Sequence, residues 1–327
     1  MYVAKSTYGL MWFFEVKMSC YYNRLKNSFY GDNPYSATLL QVMWHITNTC
    51  HLDCKLCFSK ALRTNGAELT TYQIEETINL LKRLGVKKVD LSGGEPLLCP
   101  QLPFISSCCN DAGIVPTITT SGFGTETNIN WVANNYELFS RVIVSLDGPS
   151  FVHNSLRGSD KAFDKLTEFY RRLSEKHCDR IRINTVVSRP VLSYTNELSK
   201  IINQLSPVEW CCIQPHPINK ADNFSIFSPT KKEFEDFVEQ SQIALKSSAI
   251  SILTRNNTDY SSYWILYPNQ HICHLTTDNK FDEDFVLLSD NIPSIEEAVR
   301  KHPQLYVKLA PNEQSTTTGY SRLDSEA

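Results

Sequence analysis

Residues 50–57 read Cys50-His51-Leu52-Asp53-Cys54-Lys55-Leu56-Cys57, which places three thiols at the spacing CxxxCxxC. Iron-sulfur cubes are held by cysteine thiolates, so three cysteines can hold three irons of a [4Fe-4S] cluster and leave the fourth iron open. The stretch follows an apolar run over residues 39–46, which predicts a buried first strand with the thiols at its carboxyl end. We therefore predict that Cys50, Cys54 and Cys57 are cluster ligands.

Two other uses of these thiols have to be compared with a cluster. A structural zinc site takes four ligands in a tetrahedron, whereas CxxxCxxC supplies three, with His51 badly placed between them. Disulfides form in oxidising compartments, but Lys5, Glu15 and Lys17 interrupt the apolar residues that a secretory signal would need. The eleven cysteines are therefore interpreted as reduced thiols, three of them metal ligands and the others small buried hydrophobes.

Length and composition favour an intracellular enzyme. The chain has 327 residues, 42% of them hydrophobic and 20% charged, which suffices for one α/β barrel with appendages. A net charge of -3 without a basic run gives no signal for a nucleic acid polymer as partner. There is no internal repeat and no apolar stretch of about eighteen residues that would predict a membrane span. We therefore predict a cytoplasmic protein.

Six predicted strands alternate with helices between residues 39 and 215. They cover residues 39–46, 88–92, 115–120, 141–147, 180–187 and 208–214. One helix is capped by Thr70 with Gln73 in the capping-box position, and another covers roughly residues 162–175. This alternation indicates parallel βαβ units, and hence an α/β fold built as a partial (β/α)6 TIM-like barrel.

Three segments flank this predicted core of residues 39–215. Residues 1–38 form an aromatic-rich N-terminal extension, in which a helix over residues 10–25 could contact a membrane, although such stripes usually pack on their own domain. Residues 216–311 predict an α+β extension that closes the substrate site, with a helix capped by Thr230 and Glu233 and another over residues 294–301. Residues 312–327 predict a disordered tail.

The predicted strands end in turns whose residues suit a ligand site. The second strand enters Gly93-Gly94-Glu95-Pro96, where glycine permits close backbone approach, and Glu95 and nearby carbonyls can accept hydrogen bonds from an ammonium group. Because side chains alternate along a strand, Ser145 and Asp147 share one face of the fourth strand. By their position near the carboxyl ends of the fifth and sixth strands, Arg182, Asn184 and Gln214 are expected to face the barrel interior as catalytic residues.

The cysteine stretch and the turn at residues 93–96 resemble the motifs of the radical S-adenosylmethionine (SAM) superfamily. The resemblance implies that the open iron chelates the amino and carboxylate groups of SAM and that the turn holds the methionyl amine. It also implies that one electron, from a flavodoxin or ferredoxin-type reductant, cleaves SAM to a 5'-deoxyadenosyl radical that abstracts a substrate hydrogen. Residues 153–158 resemble the HDxxRG-type stretch, whose arginine can pair with the SAM carboxylate. The SAM-binding residues implied are Gly93, Gly94, Glu95, Pro96, Ser121, Ser145 and Arg157.

Within that superfamily, residues 39–300 are similar to viperin-like proteins in patches at 182–187, 206–210 and 232–237. The resemblance implies an antiviral lyase that dehydrates a nucleoside triphosphate to a 3'-deoxy-3',4'-didehydro nucleotide. Viperins carry a basic residue on each side of the sixth-strand tryptophan, whereas Glu209 and Cys211 flank Trp210 here. Because only Arg182 keeps a basic side chain in that region, the sequence favours a nucleoside, a nucleotide with few phosphates or a sugar.

Two alternatives stay open on the sequence. Molybdopterin-precursor synthases and peptide-modifying radical SAM enzymes with auxiliary clusters look similar through residues 145–149 and the Arg157 stretch. Their auxiliary clusters need further cysteines toward the C-terminus, and only Cys273 follows Cys212. A non-catalytic iron-sulfur electron carrier or a zinc-stabilised module would have no use for both the turn at 93–96 and the Arg157 stretch. The sequence therefore predicts an enzyme with a small-molecule substrate, and a sugar or a peptide is the alternative to a nucleotide.

Overall fold

The computed structural model describes residues 41–59, 68–216, 224–256, 263–275 and 281–301. The predictions for residues 1–38 and 312–327 lie outside the described residues. The described strands form one sheet of ten strands. They are β1 (Gln41–Thr47), β2 (Lys88–Gly93), β3 (Val115–Thr120), β4 (Val142–Ser145), β5 (Ile181–Val186), β6 (Glu209–Ile213), β7 (Ser251–Arg255), β8 (Tyr263–Leu266), β9 (His271–Leu275) and β10 (Phe281–Val286).

The sheet has the order β10-β9-β8-β1-β2-β3-β4-β5-β6-β7. Strands β1 to β7 pair in sequence and in parallel, β8 pairs in parallel with the other side of β1, and β9 and β10 are antiparallel. The fold class is that of a partial TIM-like barrel, as predicted. The prediction of six parallel strands was incomplete, because the C-terminal segment adds β7 at one edge and β8 at the other.

Helices connect the parallel strands. The α-helices are α1 (Thr71–Arg83), α2 (Leu102–Asp111), α3 (Glu126–Asn134), α4 (Ser150–Arg157), α5 (Ala162–Glu175), α6 (Arg189–Leu192), α7 (Thr195–Leu205), α8 (Phe224–Phe227), α9 (Lys231–Ala244) and α10 (Ile292–Lys301). Both predicted capping boxes are present: the side chain of Thr70 accepts from the N–H of Gln73, and that of Thr230 accepts from the N–H of Glu233. Of the described helices, none is both long and apolar enough to cross a membrane.

Each strand of the barrel presents one face to the helices and the other to the interior. Trp44 and Trp210 are fully buried on the helix side, where Trp210 packs against Phe237 of α9 and donates to Oγ1 of Thr185 at 2.8 Å. Residues of the opposite parity line an interior cavity. The two-residue period of the strands therefore sorts the chain into a hydrophobic layer and a polar site.

Candidate functional site

A cavity of about 460 Å³ occupies the interior of the partial barrel. Its lining runs from Lys88 and Arg141 at the starts of the strands to Gly93 and Asp147 at their ends, beside the cysteine loop. This volume lies within the range of about 300–1,000 Å³ that is usual for small-molecule sites.

The three predicted cluster ligands face this cavity together. Cys50, Cys54 and Cys57 are half-buried and all line it. Among the described residues, no three His, Cys, Asp or Glu side chains converge on a position for a single metal ion. The Nη1 atom of Arg157 lies 3.9 Å from Sγ of Cys54, and burial raises the pKa of that thiol to about 11, an effect that Arg157 opposes. Three thiols around one space are a donor set that fits an iron-sulfur cluster, and the Arg157 cation beside them favours the thiolate form that such a cluster needs.

The cysteine loop is held in place by two other segments. On one side, the N–H of Gly94 donates to Thr47 O and that of Glu95 to Thr49 O, both at 2.8 Å. On the other side, the N–H of Lys55 donates to the carbonyl of Leu156 in α4 at 2.9 Å. The two stretches that sequence analysis assigned to SAM therefore also brace the loop that carries the thiols.

The two glycines of the turn have a packing role that sequence analysis missed. A Cβ atom at Gly93 would lie 2.3 Å from Thr47 O, and one at Gly94 would lie 2.1 Å from Thr49 O. Real Cβ atoms do not approach backbone so closely, so both positions require glycine. Sequence analysis predicted close backbone approach here, but the partner in the structure is the loop that leads to Cys50.

The Glu95 carboxylate lies in the cavity wall and is 2% exposed. Its Oε1 accepts from the N–H of Leu97 at 3.0 Å and from the Thr120 hydroxyl, and its Oε2 accepts from Ser121 N at 2.8 Å and Oγ at 2.6 Å. A carboxylate offers about four acceptor sites, and these donors use them all. The predicted contact with the SAM amine therefore depends on backbone carbonyls of the turn. Pro96 does not line the cavity; it begins the 3₁₀ helix Pro96–Leu98.

Arg157, at the end of α4, is paired within the protein. Its Nη2 lies 2.7 Å from Oδ2 of Asp147, and both side chains are largely buried. Asp147 is fixed in turn, because its Oδ1 accepts from Val186 N at 2.9 Å and its N–H donates to Nδ1 of His153 at 3.1 Å. That hydrogen bond keeps Nδ1 unprotonated, and burial lowers the pKa of His153 to about 4. Asp147 and Arg157 were both expected at the site from the sequence, but their pairing with each other was not.

Two of the three predicted catalytic residues lie in the cavity wall. Arg182 and Asn184 line it from β5, as Ser145 does from β4. Oδ1 of Asn184 is buried and has no hydrogen-bond partner among the described residues. Gln214 does not line the cavity: Glu209 and Ile213 are the residues of β6 that do, and Gln214 has the opposite parity. The expectation for Gln214 overlooked that alternation.

The expectation that Arg182 is the only basic side chain in the lining of the barrel interior was wrong. Lys88, Arg141 and Arg255 also line the cavity. Lys88 belongs to β2 and Arg255 to the unpredicted edge strand β7, so neither lies on the fifth or sixth strand, from which the charge of the lining was predicted. The period of two, counted back from Ser145 through Ile143, would have found Arg141.

Asp90 is a further lining residue that sequence analysis did not identify. Its Oδ1 accepts from the hydroxyls of Thr117 at 2.8 Å and Thr119 at 2.9 Å, both on β3. Burial raises the pKa of Asp90, against the two hydroxyl hydrogen bonds and the charges of Arg182 and Arg255. The part of the cavity farther from the cysteine loop thus combines carboxyl groups, hydroxyls and guanidinium groups. Such a lining suits a polar ligand.

The chain is similar to a known protein family and to individual proteins of known function. The family model described as the radical SAM superfamily matches residues 44–197. An S-adenosylmethionine-dependent nucleotide dehydratase of Flammeovirga pacifica is 25% identical over 239 residues, 69% of this chain and 78% of that protein. An AdoMet-dependent heme synthase of Oleidesulfovibrio alaskensis is 25% identical over 197 residues, 60% of this chain and 50% of its own length. The chain thus spans half of that second relative.

Solved structures share the fold at lower identity. The structure of native anSMEcpe with bound AdoMet and the Cp18Cys peptide has a TM-score of 0.57 and 15% identity, over 73% of this chain and 74% of that one. At this identity the likeness shows the fold alone.

Proposed function

We propose that this chain is a radical SAM enzyme that uses a [4Fe-4S] cluster and SAM, and that it dehydrates a nucleoside or nucleotide after abstracting a hydrogen from it. The match of the radical SAM family model to residues 44–197 supports the superfamily. The relative named as a nucleotide dehydratase supports the reaction class. The observation that carries the proposal is that one cavity joins the three thiols to polar side chains on seven neighbouring strands, β1 to β7.

The chain's own residues divide into two groups in this proposal. When bound, the cluster and SAM supply an electron and a hydrogen acceptor. Cys50, Cys54 and Cys57 would hold the cluster, and the backbone of residues 93–95 would hold the methionyl amine. Deeper in the cavity, Oδ1 of Asn184 is available to accept a hydrogen bond from a substrate hydroxyl or amino group. The cavity wall includes Glu95, Asp147 and Arg157, and it would separate the reacting groups from bulk water.

The test is SAM cleavage by the reconstituted, reduced protein in the presence of deuterium-labelled ribonucleosides and their mono-, di- and triphosphates. We expect one of these compounds to stimulate release of 5'-deoxyadenosine that contains its deuterium. Cys54→Ala should abolish release, because a thiolate ligand is lost. The matched control is Cys178→Ala, which removes a half-buried thiol that does not line the cavity and should leave release unchanged.

The outcomes separate the alternatives. Cleavage of SAM without deuterium transfer from any nucleoside or nucleotide would direct the search to sugars and peptides. If the protein holds an intact cluster but cleaves no SAM under any condition, the proposal of an enzyme is contradicted and an electron carrier is favoured.

A further inference from the structure

A carboxylate lies between two guanidinium groups at the end of the cavity where the strands begin. Glu209, at the start of β6, accepts from Arg141 through Oε1 at 2.9 Å and Oε2 at 3.1 Å. Its Oε2 also lies 2.6 Å from both Nε and Nη2 of Arg182. The Glu209 side chain is 12% exposed and that of Arg182 is 6% exposed. Four N–H donors on two adjacent side chains therefore converge on one carboxylate.

The charges of this group are fixed. Burial raises the pKa of Glu209, but the hydrogen bonds and positive charges of Arg141 and Arg182 outweigh burial and bring the pKa below its ordinary value. Arginine stays protonated in proteins. One negative charge thus neutralises one of two positive charges at neutral pH.

The guanidinium fork matches phosphate as well as it matches carboxylate. Glu209 therefore holds the same donors that a phosphate group would take in this part of the cavity. A polyphosphate could reach them only by displacing this half-buried carboxylate, which would stay beside the incoming anion. Like charges in a partly dry site repel strongly.

We propose that Glu209 is a specificity-determining residue that limits the anionic charge the cavity accepts, so that the substrate is a nucleoside or nucleoside monophosphate rather than a triphosphate. This inference rests on the proposed function, because it names the substrate class of the same site. Arg141 and Arg182 keep one net positive charge in it, and four of their N–H donors are already directed to Glu209.

The experiment measures dissociation constants of the reconstituted protein for inorganic tripolyphosphate, ribonucleosides and their mono- and triphosphates. Glu209→Gln keeps the shape of the side chain and removes its charge. We expect it to bind tripolyphosphate and triphosphates about tenfold or more tightly than the original protein does, with nucleoside binding changed less than about twofold. Asp90→Asn is the matched control, because it removes a carboxyl group of the same cavity that is held by threonine hydroxyls. It should improve tripolyphosphate binding by less than about threefold.

Three results would overturn the inference: no gain in Glu209→Gln, an equal gain in Asp90→Asn, or tripolyphosphate binding by the original protein as tight as that of Glu209→Gln. Should Glu209→Gln fail to fold, Glu209→Asp keeps the charge but shortens the reach to the two arginines. This variant should then bind tripolyphosphate more tightly than the original protein, though by a smaller factor than expected for Glu209→Gln. Unchanged binding of tripolyphosphate would also overturn the inference. A gain for tripolyphosphate in a protein whose SAM cleavage responds to no nucleoside or nucleotide would support this inference and refute the proposed function.

Discussion

At the scale of single residues, the pairing of Arg157 with Asp147 yields a prediction about both stability and the cluster. Removing one partner of a buried ion pair leaves an uncompensated charge, so Arg157→Ala should lower the free energy of unfolding by about 3 kcal/mol. Because the lost cation lies 3.9 Å from Sγ of Cys54, the midpoint potential of the bound cluster should also become more negative. Urea unfolding and a redox titration followed by electron paramagnetic resonance measure the two effects.

Arg171→Ala is the control, because it breaks an exposed pair with Glu175 on α5 and should cost less than about 1 kcal/mol. Equal stability of the two variants, together with an unchanged potential, would contradict this role for Arg157. The family resemblance implied that Arg157 pairs with the carboxylate of SAM. The sequence could not indicate that Asp147, ten residues earlier, supplies a carboxylate within the protein, since the turn between β4 and α4 determines that contact.

At the scale of elements, the packing of the turn at residues 93–96 against the cysteine loop predicts a sharp difference between two glycines. A Cβ atom at Gly94 would meet the Thr49 backbone at 2.1 Å, so Gly94→Ala should displace the loop and lower the iron retained after reconstitution. At Gly113 a Cβ atom meets nothing within 4 Å, although φ is +76°. Gly113→Ala should therefore cost about 1 kcal/mol of stability without loss of iron. Iron and sulfide analysis decides, and full iron retention in Gly94→Ala would refute the packing role.

Helices and strands could be predicted where the sequence pattern that specifies them involves residues close together in the chain. The capping boxes at Thr70 and Thr230 involve residues three apart, and both are present. The partner of Gly94 lies 45 positions earlier in the chain, so only the need for close approach could be read from the sequence. Gln214 shows the converse, because the alternation of side chains is a local signal: Ile213 lines the cavity, so its neighbour Gln214 points to the other face.

At the scale of the whole molecule, the two edges of the parallel sheet were beyond local patterns. Strands in the segments that form β7 and β8 add to β6 and β1, and the contact of β8 with β1 joins Ile265 to Met43. Pairing over more than two hundred residues leaves no periodic signal in either strand. The core barrel could be predicted from alternation alone, whereas its edges, and with them Arg255, could not.

Phe58 lies where these two edges face each other. It packs against two clusters of buried residues: Ile265, Tyr267 and Cys273 on the side of β8 and β9, and Cys211, Ile213 and Leu253 on the side of β6 and β7. The described strands β7 and β8 are not paired with each other, so this ring, one residue after Cys57, fills the space between the edges. Phe58 thereby couples closure of the sheet to the cysteine loop.

Phe58→Ala should accordingly open a path from solvent to the cluster. We expect the cluster absorbance to bleach several-fold faster in air, and the free energy of unfolding to fall by about 2 kcal/mol, less than for a fully buried phenylalanine. Tyr72→Ala, which truncates an aromatic that is 70% exposed on α1, should alter neither quantity. Equal bleaching rates in the two variants would mean that solvent reaches the thiols by another route, and that the edges of the sheet are closed without Phe58.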